Sequence, residues 1–343
     1  MFNNGHPFII QKNSKFISLN DIYANSNNYL FPYARYAFLE ALKKLNIKSI
    51  YIPAFICRDM LSPINTLNIS YYFYNVSEKM KPFIEDIKCD AILAVDYFGF
   101  EQDMEPFLEY KKKYNSIIIE DNAHGLFSKD LAGNLLGTRG DIGLLSIRKT
   151  VALPNGAVLL INNSNYKKIN FEKSAIKKTR EDKKYYTKQF VKKFIINKRL
   201  GILIVLIKRL IRLLKTGASI PVSSFYSEKE LPNNIYLTPL LKNNKLSIDI
   251  EFEIKRRRDL YSKMQYWALK FGIKPLFDLY ENCVPFEFPF VINEYNFHMF
   301  KKFELFLIIK GFYVLPWPSL PSHINSVNNN DFYKNIKVVP FLW

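Results

Sequence analysis

Residues 116–125 read Ser116-Ile117-Ile118-Ile119-Glu120-Asp121-Asn122-Ala123-His124-Gly125, and residues 142–149 read Ile142-Gly143-Leu144-Leu145-Ser146-Ile147-Arg148-Lys149. Each is a short apolar run that breaks abruptly into polar residues, the pattern of a strand buried on both faces and ending at a loop. In open α/β sheets ligands bind beyond the carboxyl ends of the strands, so chemistry is expected at Asp121, His124, Ser146 and Lys149. A lysine just past a buried strand is costly unless its amine is used, because burial disfavours the charged form.

Working outward, the same kind of run recurs at 68–76 (NISYYFYNV), 91–99 (AILAVDYFG) and 157–162 (AVLLIN). Helical spacing at 35–45 (RYAFLEALKKL) leads into SIYIPAF at 49–55, and a second helical stretch covers 103–114. Strands alternating with helices predict an α/β domain with a mostly parallel sheet. Later the pattern changes: a helix over 248–271, FPFVI at 288–292, a helix over 297–310 and GFYVLPW at 311–317 predict a smaller α+β unit of about 100 residues. The division expected is 1–235 and 236–343.

The chain has 343 residues, 48% hydrophobic and 23% charged, which excludes wholesale disorder and collagen-like repetition. Cys57, Cys89 and Cys283 are too few and too far apart for a disulfide framework or a Cys-rich zinc site, and no metal is expected. The first residues lack the pattern of a secretory signal, so the expected location is the cytoplasm. The net charge of +18 is concentrated: residues 167–215 carry 17 Lys/Arg against Glu172, Glu181 and Asp182, a local +14. Within it, 198–215 (KRLGILIVLIKRLIRLLK) has only eight consecutive uncharged residues, too few to span a bilayer, which takes about 20. At ~100° per residue Lys198, Lys208, Arg209, Arg212 and Lys215 share one face, and Leu203, Leu206, Ile207, Leu210, Leu213 and Leu214 the other. A basic amphipathic helix of this kind packs on its own domain or a partner, or lies on the inner, anionic face of a membrane. No nucleic-acid-binding motif is present.

Taken in order, these residues resemble the DegT/DnrJ/EryC1/StrS family of fold-type I, pyridoxal-phosphate-dependent sugar aminotransferases. The family's E-D-x-A-[QH] strand end is matched by Glu120–His124, and its G-D pair by Gly140-Asp141. Its serine, its Schiff-base lysine and its small-residue turn are matched by Ser146, Lys149 and Gly156-Ala157. The resemblance implies a large domain with a mixed, mostly parallel sheet covered by helices, and a smaller C-terminal α+β domain. It implies pyridoxal 5′-phosphate held by Lys149, with Asp121 on the pyridinium nitrogen, His124 near the phenolic oxygen and Ser146 at the phosphate. Tyr33–Phe38 is similar to the family's G-T-x-A-L helix start, which makes Arg35 and Tyr36 candidates at the phosphate, and Pro53-Ala54-Phe55 makes Phe55 a candidate over the ring. Arg256–Tyr261 (RRRDLY) is similar to a family helix motif, although a solvated charged face is the expectation for it.

The activity implied is amino transfer, from glutamate, to a keto-sugar, nucleotide-linked, for surface polysaccharide assembly, by a homodimer. The retained Lys149 argues against relatives that carry histidine there for deoxygenation. Two alternatives stay open: another reaction of the same cofactor, such as decarboxylation or amination of a phosphorylated or lipid-linked substrate, and a catalytically silent docking protein on the same fold. The Ser146-to-Lys149 spacing is shorter than in many members, Gly and Thr of the helix start are Ala34 and Arg35, and the chain ends at Phe341-Leu342-Trp343 where the family has further residues.

Overall fold

The apolar runs become strands, enclosed in the middle of the sheet and partly exposed at β4 near its edge. The computed structural model describes residues 15–197, 206–207, 210–211, 213–214, 224–326 and 331–341. In chain order its strands are β1 (Lys15–Ser18), β2 (Asn27–Phe31), β3 (Ser49–Pro53), β4 (Ser70–Val76), β5 (Pro82–Phe83), β6 (Ala91–Val95), β7 (Ile117–Asn122), β8 (Ile142–Leu145), β9 (Ala157–Ile161), β10 (Lys245–Ile248), β11 (Glu287–Val291), β12 (Leu315–Pro316) and β13 (Ile336–Pro340). Every residue of β6, β8 and β9 is buried, as expected for strands covered on both faces.

Eight strands form one sheet in the order β2-β9-β8-β7-β6-β3-β4-β5. Strands β4, β3, β6, β7 and β8 run parallel, while β9, β2 and β5 join antiparallel. A smaller antiparallel sheet, β11-β13-β12, lies in the C-terminal part, and β1 pairs with β10. The mixed, mostly parallel large sheet and the small C-terminal sheet are the layout expected from sequence. Phe288, Phe290 and Val338 of the small sheet share one buried cluster with Ile50, Ile92 and Ile119 of the large one, so the C-terminal part packs directly on the strands that carry the site.

The Gly140-Asp141 pair is structural. Asp141 accepts the Ile118 N–H (2.9 Å) and binds Lys111 and Asn163 (both 2.5 Å), which clamps the start of β8 to β7. Gly143 is needed because a Cβ there would run into the Gly137 carbonyl oxygen. With β7 and β8 in this parallel register, Asp121 lies opposite Leu144 and both strands end at the same edge.

One expectation is overturned here. Arg256, Arg257 and Tyr261, on the helix Ile250–Lys270, are buried rather than solvated. Glu253, one turn earlier, takes Arg256 at 2.6 and 2.8 Å and Arg257 at 2.7 Å, which neutralises both guanidiniums inside the protein. In the basic segment, Lys198, Leu203, Lys208, Arg209, Arg212 and Lys215 lie outside the described residues. Leu206, Ile207, Leu210, Leu213 and Leu214 are described, and all are exposed.

Candidate active site

The strand alternation of β7 sends its two acids to opposite sides. Glu120 turns away and is fully buried against Arg139, whose Nε donates to it at 2.8 Å and whose Nη2 donates to Asp96 at 2.5 Å. Asp121 faces a cavity of about 260 Å³ at the carboxyl edge of the sheet, lined also by Tyr33, Arg35, Phe55, His124, Ser146 and Lys149. Asp121 is buried and its Oδ1 accepts the Ala123 N–H at 3.1 Å. Burial pushes its carboxyl up and the nearby Lys149 opposes that shift.

His124 follows because Asn122 builds the turn: its side chain accepts the Gly125 N–H at 2.9 Å and donates to the Leu136 carbonyl at 2.7 Å. The imidazole stacks on Phe286, with centroids 4.6 Å apart and planes 7° apart, and Trp317 meets it edge-on. Its Nδ1 accepts the Phe98 N–H at 3.3 Å, which assigns the ring hydrogen to Nε2. That Nε2 lies 2.9 Å from Lys149 Nζ. A nitrogen accepting there presents a lone pair, so the contact calls for the neutral amine. Burial, first of all, keeps His124 well below the usual imidazole range, and a positive charge on Lys149 or Arg257 pushes it the same way, so the ring is neutral whichever form the amine takes. Burial also lowers Lys149, with Asp121 pulling the other way.

Lys149 closes the single turn that follows β8, and its carbonyl accepts from Arg257 Nη2 at 3.1 Å. Arg257 also donates to the Pro285 and Phe286 carbonyls (3.3 Å each). The C-terminal sheet is thereby tied to the lysine turn. Across the cavity, the helix Ala34–Lys44 begins at its wall with no side-chain cap, its Tyr36 and Ala37 amides turning back to the Tyr33 carbonyl. Arg35 is 3.7 Å from Asp59, and Arg148 lies over the Tyr33 ring at 5.5 Å. Ser146 caps its turn without using its side chain.

Six of the seven residues expected from sequence therefore meet in one cavity: Lys149, Asp121, His124, Ser146, Arg35 and Phe55. Tyr36 does not. It is half-buried against the core, with its hydroxyl donating to the Pro232 carbonyl at 2.5 Å, and Tyr33 lines the cavity instead. His124 contacts the lysine amine itself. Sequence reasoning missed Tyr33, Asp59, Phe286, Trp317 and the role of Arg257. The spacing of Glu253 to Arg256 and Arg257 signalled a helical ion-pair cluster, but not its burial.

The sequence pattern of the DegT/DnrJ/EryC1/StrS aminotransferase family matches residues 67–209. GDP-perosamine synthase of Escherichia coli O157:H7 is 36% identical over 78 residues, 22% of this chain and 21% of that protein, so the alignment spans about a fifth of this relative. Among solved structures, a DegT DnrJ EryC1 StrS aminotransferase from Brucella abortus is similar with a TM-score of 0.58 and 12% identity, over 94% of this chain and 82% of that one. Helicobacter pylori PseC, an aminotransferase involved in the biosynthesis of pseudoaminic acid, is similar with a TM-score of 0.52 and 13% identity, over 92% and 81%. At such identities the structural likeness is one of fold.

Proposed function

Since the chain is a divergent member of the DegT/DnrJ/EryC1/StrS aminotransferase family, we propose that it is a pyridoxal-phosphate-dependent aminotransferase that moves an amino group onto a keto-sugar. The observation that carries the reading is Lys149 Nζ, 2.9 Å from His124 Nε2 in the cavity that Asp121 also lines. In finer terms, the donor is glutamate, the acceptor is nucleotide-linked, the product serves surface polysaccharide assembly, and the working unit is a homodimer.

The residues present fit the cofactor. An amine whose charged form is disfavoured by burial suits an aldehyde, and a buried carboxylate suits a protonated ring nitrogen. Arg35, Arg148, Ser146 and the uncapped helix start suit a phosphate. Bound pyridoxal phosphate supplies an aldehyde that captures amines and a ring that draws electrons from the adjoining carbon. The chain's own groups do the rest. Lys149 Nζ takes and returns the proton on the substrate carbon, and His124 holds that nitrogen in place by its Nε2–H. Phe55, Tyr97 and Trp317 line the cavity with aromatic surface. A visible absorption spectrum tests the reading. Protein loaded with the cofactor is expected to absorb in the yellow-forming region and to lose that absorbance when glutamate is added. A spectrum identical to that of free cofactor would refute it.

A second contact is favoured by the exposure of Leu206, Ile207, Leu210, Leu213 and Leu214 beside a sequence with a local charge of +14. No described helix is long and apolar enough to cross a membrane. Peripheral contact with an anionic membrane is proposed instead. Deleting 198–215 is expected to abolish co-sedimentation with vesicles containing phosphatidylserine, and salt to weaken it in the intact chain. Binding indifferent to lipid charge and salt would count against it.

A further inference from the structure

Asp59 lines the same cavity as Lys149 and Asp121, yet neither oxygen of its carboxylate accepts a hydrogen bond from a described residue. Oδ1 is buried without a partner, and Oδ2 has only Arg35 Nη2 at 3.7 Å, close enough for an ion pair but too long for a hydrogen bond. A carboxylate has room for about four donors, so oxygens left bare beside a cavity call for a donor from outside the chain.

The surroundings narrow what that donor is. On the proposed function, Arg35 and Arg148 face the cofactor's phosphate and Asp121 its ring nitrogen, and a phosphate would meet Asp59 with like charge. The carboxylates of the amino donor would be repelled in the same way. Asp59 therefore waits for a neutral donor on the other substrate. Depth agrees: Asp121 is 6% exposed, whereas the Asp59 side chain is 30% exposed and open to a molecule arriving from solvent. Trp317 supplies an apolar surface in the same cavity. The Arg58 N–H donates to the Ser319 carbonyl at 2.8 Å, which joins the segment carrying Asp59 to the one carrying Trp317. The indole is braced by Phe98 and Phe55, with centroids at 4.7 and 5.6 Å, and meets His124, the ring that contacts Lys149 Nζ, at 5.2 Å. An acceptor for hydroxyls and an aromatic face for C–H groups together suit a hydroxylated ring. We propose that Asp59 is a specificity-determining residue, which accepts hydrogen bonds from hydroxyl groups of the sugar acceptor while Trp317 lies against the ring.

The inference rests on the proposed function for the cofactor, and its test separates the two. Protein loaded with pyridoxal phosphate is titrated with methyl 3-amino-3-deoxyglucoside, methyl 4-amino-4-deoxyglucoside and cyclohexylamine, the last a comparable ring without hydroxyls. The half-saturating concentration of each is read from the change in visible absorbance. If the wild type forms no yellow absorbance, the proposed function fails and the inference with it. Asp59→Ala is expected to raise the half-saturating concentration of at least one amino sugar by about tenfold to a hundredfold, as loss of a hydrogen bond to a charged group does, and to leave cyclohexylamine unchanged. Asp59→Asn keeps one acceptor oxygen without the charge and is expected to fall between the two. Both variants should fold and hold the cofactor as the wild type does, because Asp59 gives up no hydrogen bond within the protein. Weaker cofactor binding in both would make Asp59 only the counter-charge that orients Arg35, and would overturn the proposal. Equal effects on all three amines, or an effect on none, would overturn it as well.

Discussion

Lys149→Ala is expected to abolish amino transfer and, with it, any cofactor mass that borohydride fixes onto the protein, while leaving the fold intact. Lys149 is the one lysine lining the cavity among the described residues, so no neighbouring amine can replace it. Loss of the proton-transfer role alone costs about 10²–10⁴-fold in rate, and loss of the amine that captures the aldehyde adds to this. The fold survives because the anchor of this turn is the Lys149 carbonyl, held by Arg257, which alanine keeps. Truncation also removes an amine whose burial disfavours its charge, so the thermal midpoint is expected to hold or rise. Lys149→Arg separates charge from nucleophilicity: it keeps a cation beside Asp121 and is expected to be equally inactive. Turnover in either variant, measured by loss of amino donor, would rule out the role given to this residue.

How much of this site is legible in the sequence depends on how far apart in the chain its parts lie. Asp121 and Lys149 are legible because each ends a short apolar run, and two parallel neighbours with matched register end at the same edge. The different fates of Glu120 and Asp121 also follow from the period of a strand. Tyr36 is misplaced by the sequence because the choice between residues 33 and 36 depends on where the helix begins, and helix ends are set by capping that Ala34 does not advertise. Phe286 and Trp317 are not legible at all. They flank strands of the C-terminal sheet, more than 130 residues after Lys149, and nothing local to them marks the packing of that sheet on the strand ends. The arginines of RRRDLY fail for a different reason: a charged helical pattern is ordinarily solvated, and only tertiary packing buries it.

That buried cluster carries the largest stability effect. Glu253→Ala is expected to cost about 3–5 kcal/mol in chemical denaturation, because it removes the carboxylate that hydrogen-bonds Arg256 and Arg257 in the interior. The pH dependence has a definite sign. Burial alone would raise the Glu253 carboxyl, but hydrogen bonds from Arg256 and the charge of Arg257 hold it below the usual range. A folded value below the unfolded one means that its contribution is present above the unfolded value, near ~4.3, and is lost as pH falls through the folded one. Wild-type protein should therefore lose this increment in acid, and Glu253→Ala should show a flatter acid limb. Replacing Glu253, Arg256 and Arg257 together by apolar residues of similar volume tests what the cluster is for. Such swaps of buried ion clusters are often neutral or stabilising. Stability is then expected to return while activity does not, because the Lys149, Pro285 and Phe286 carbonyls lose the guanidinium that joins the lysine turn to the C-terminal sheet. Recovery of both together would show that the arginine only fills space.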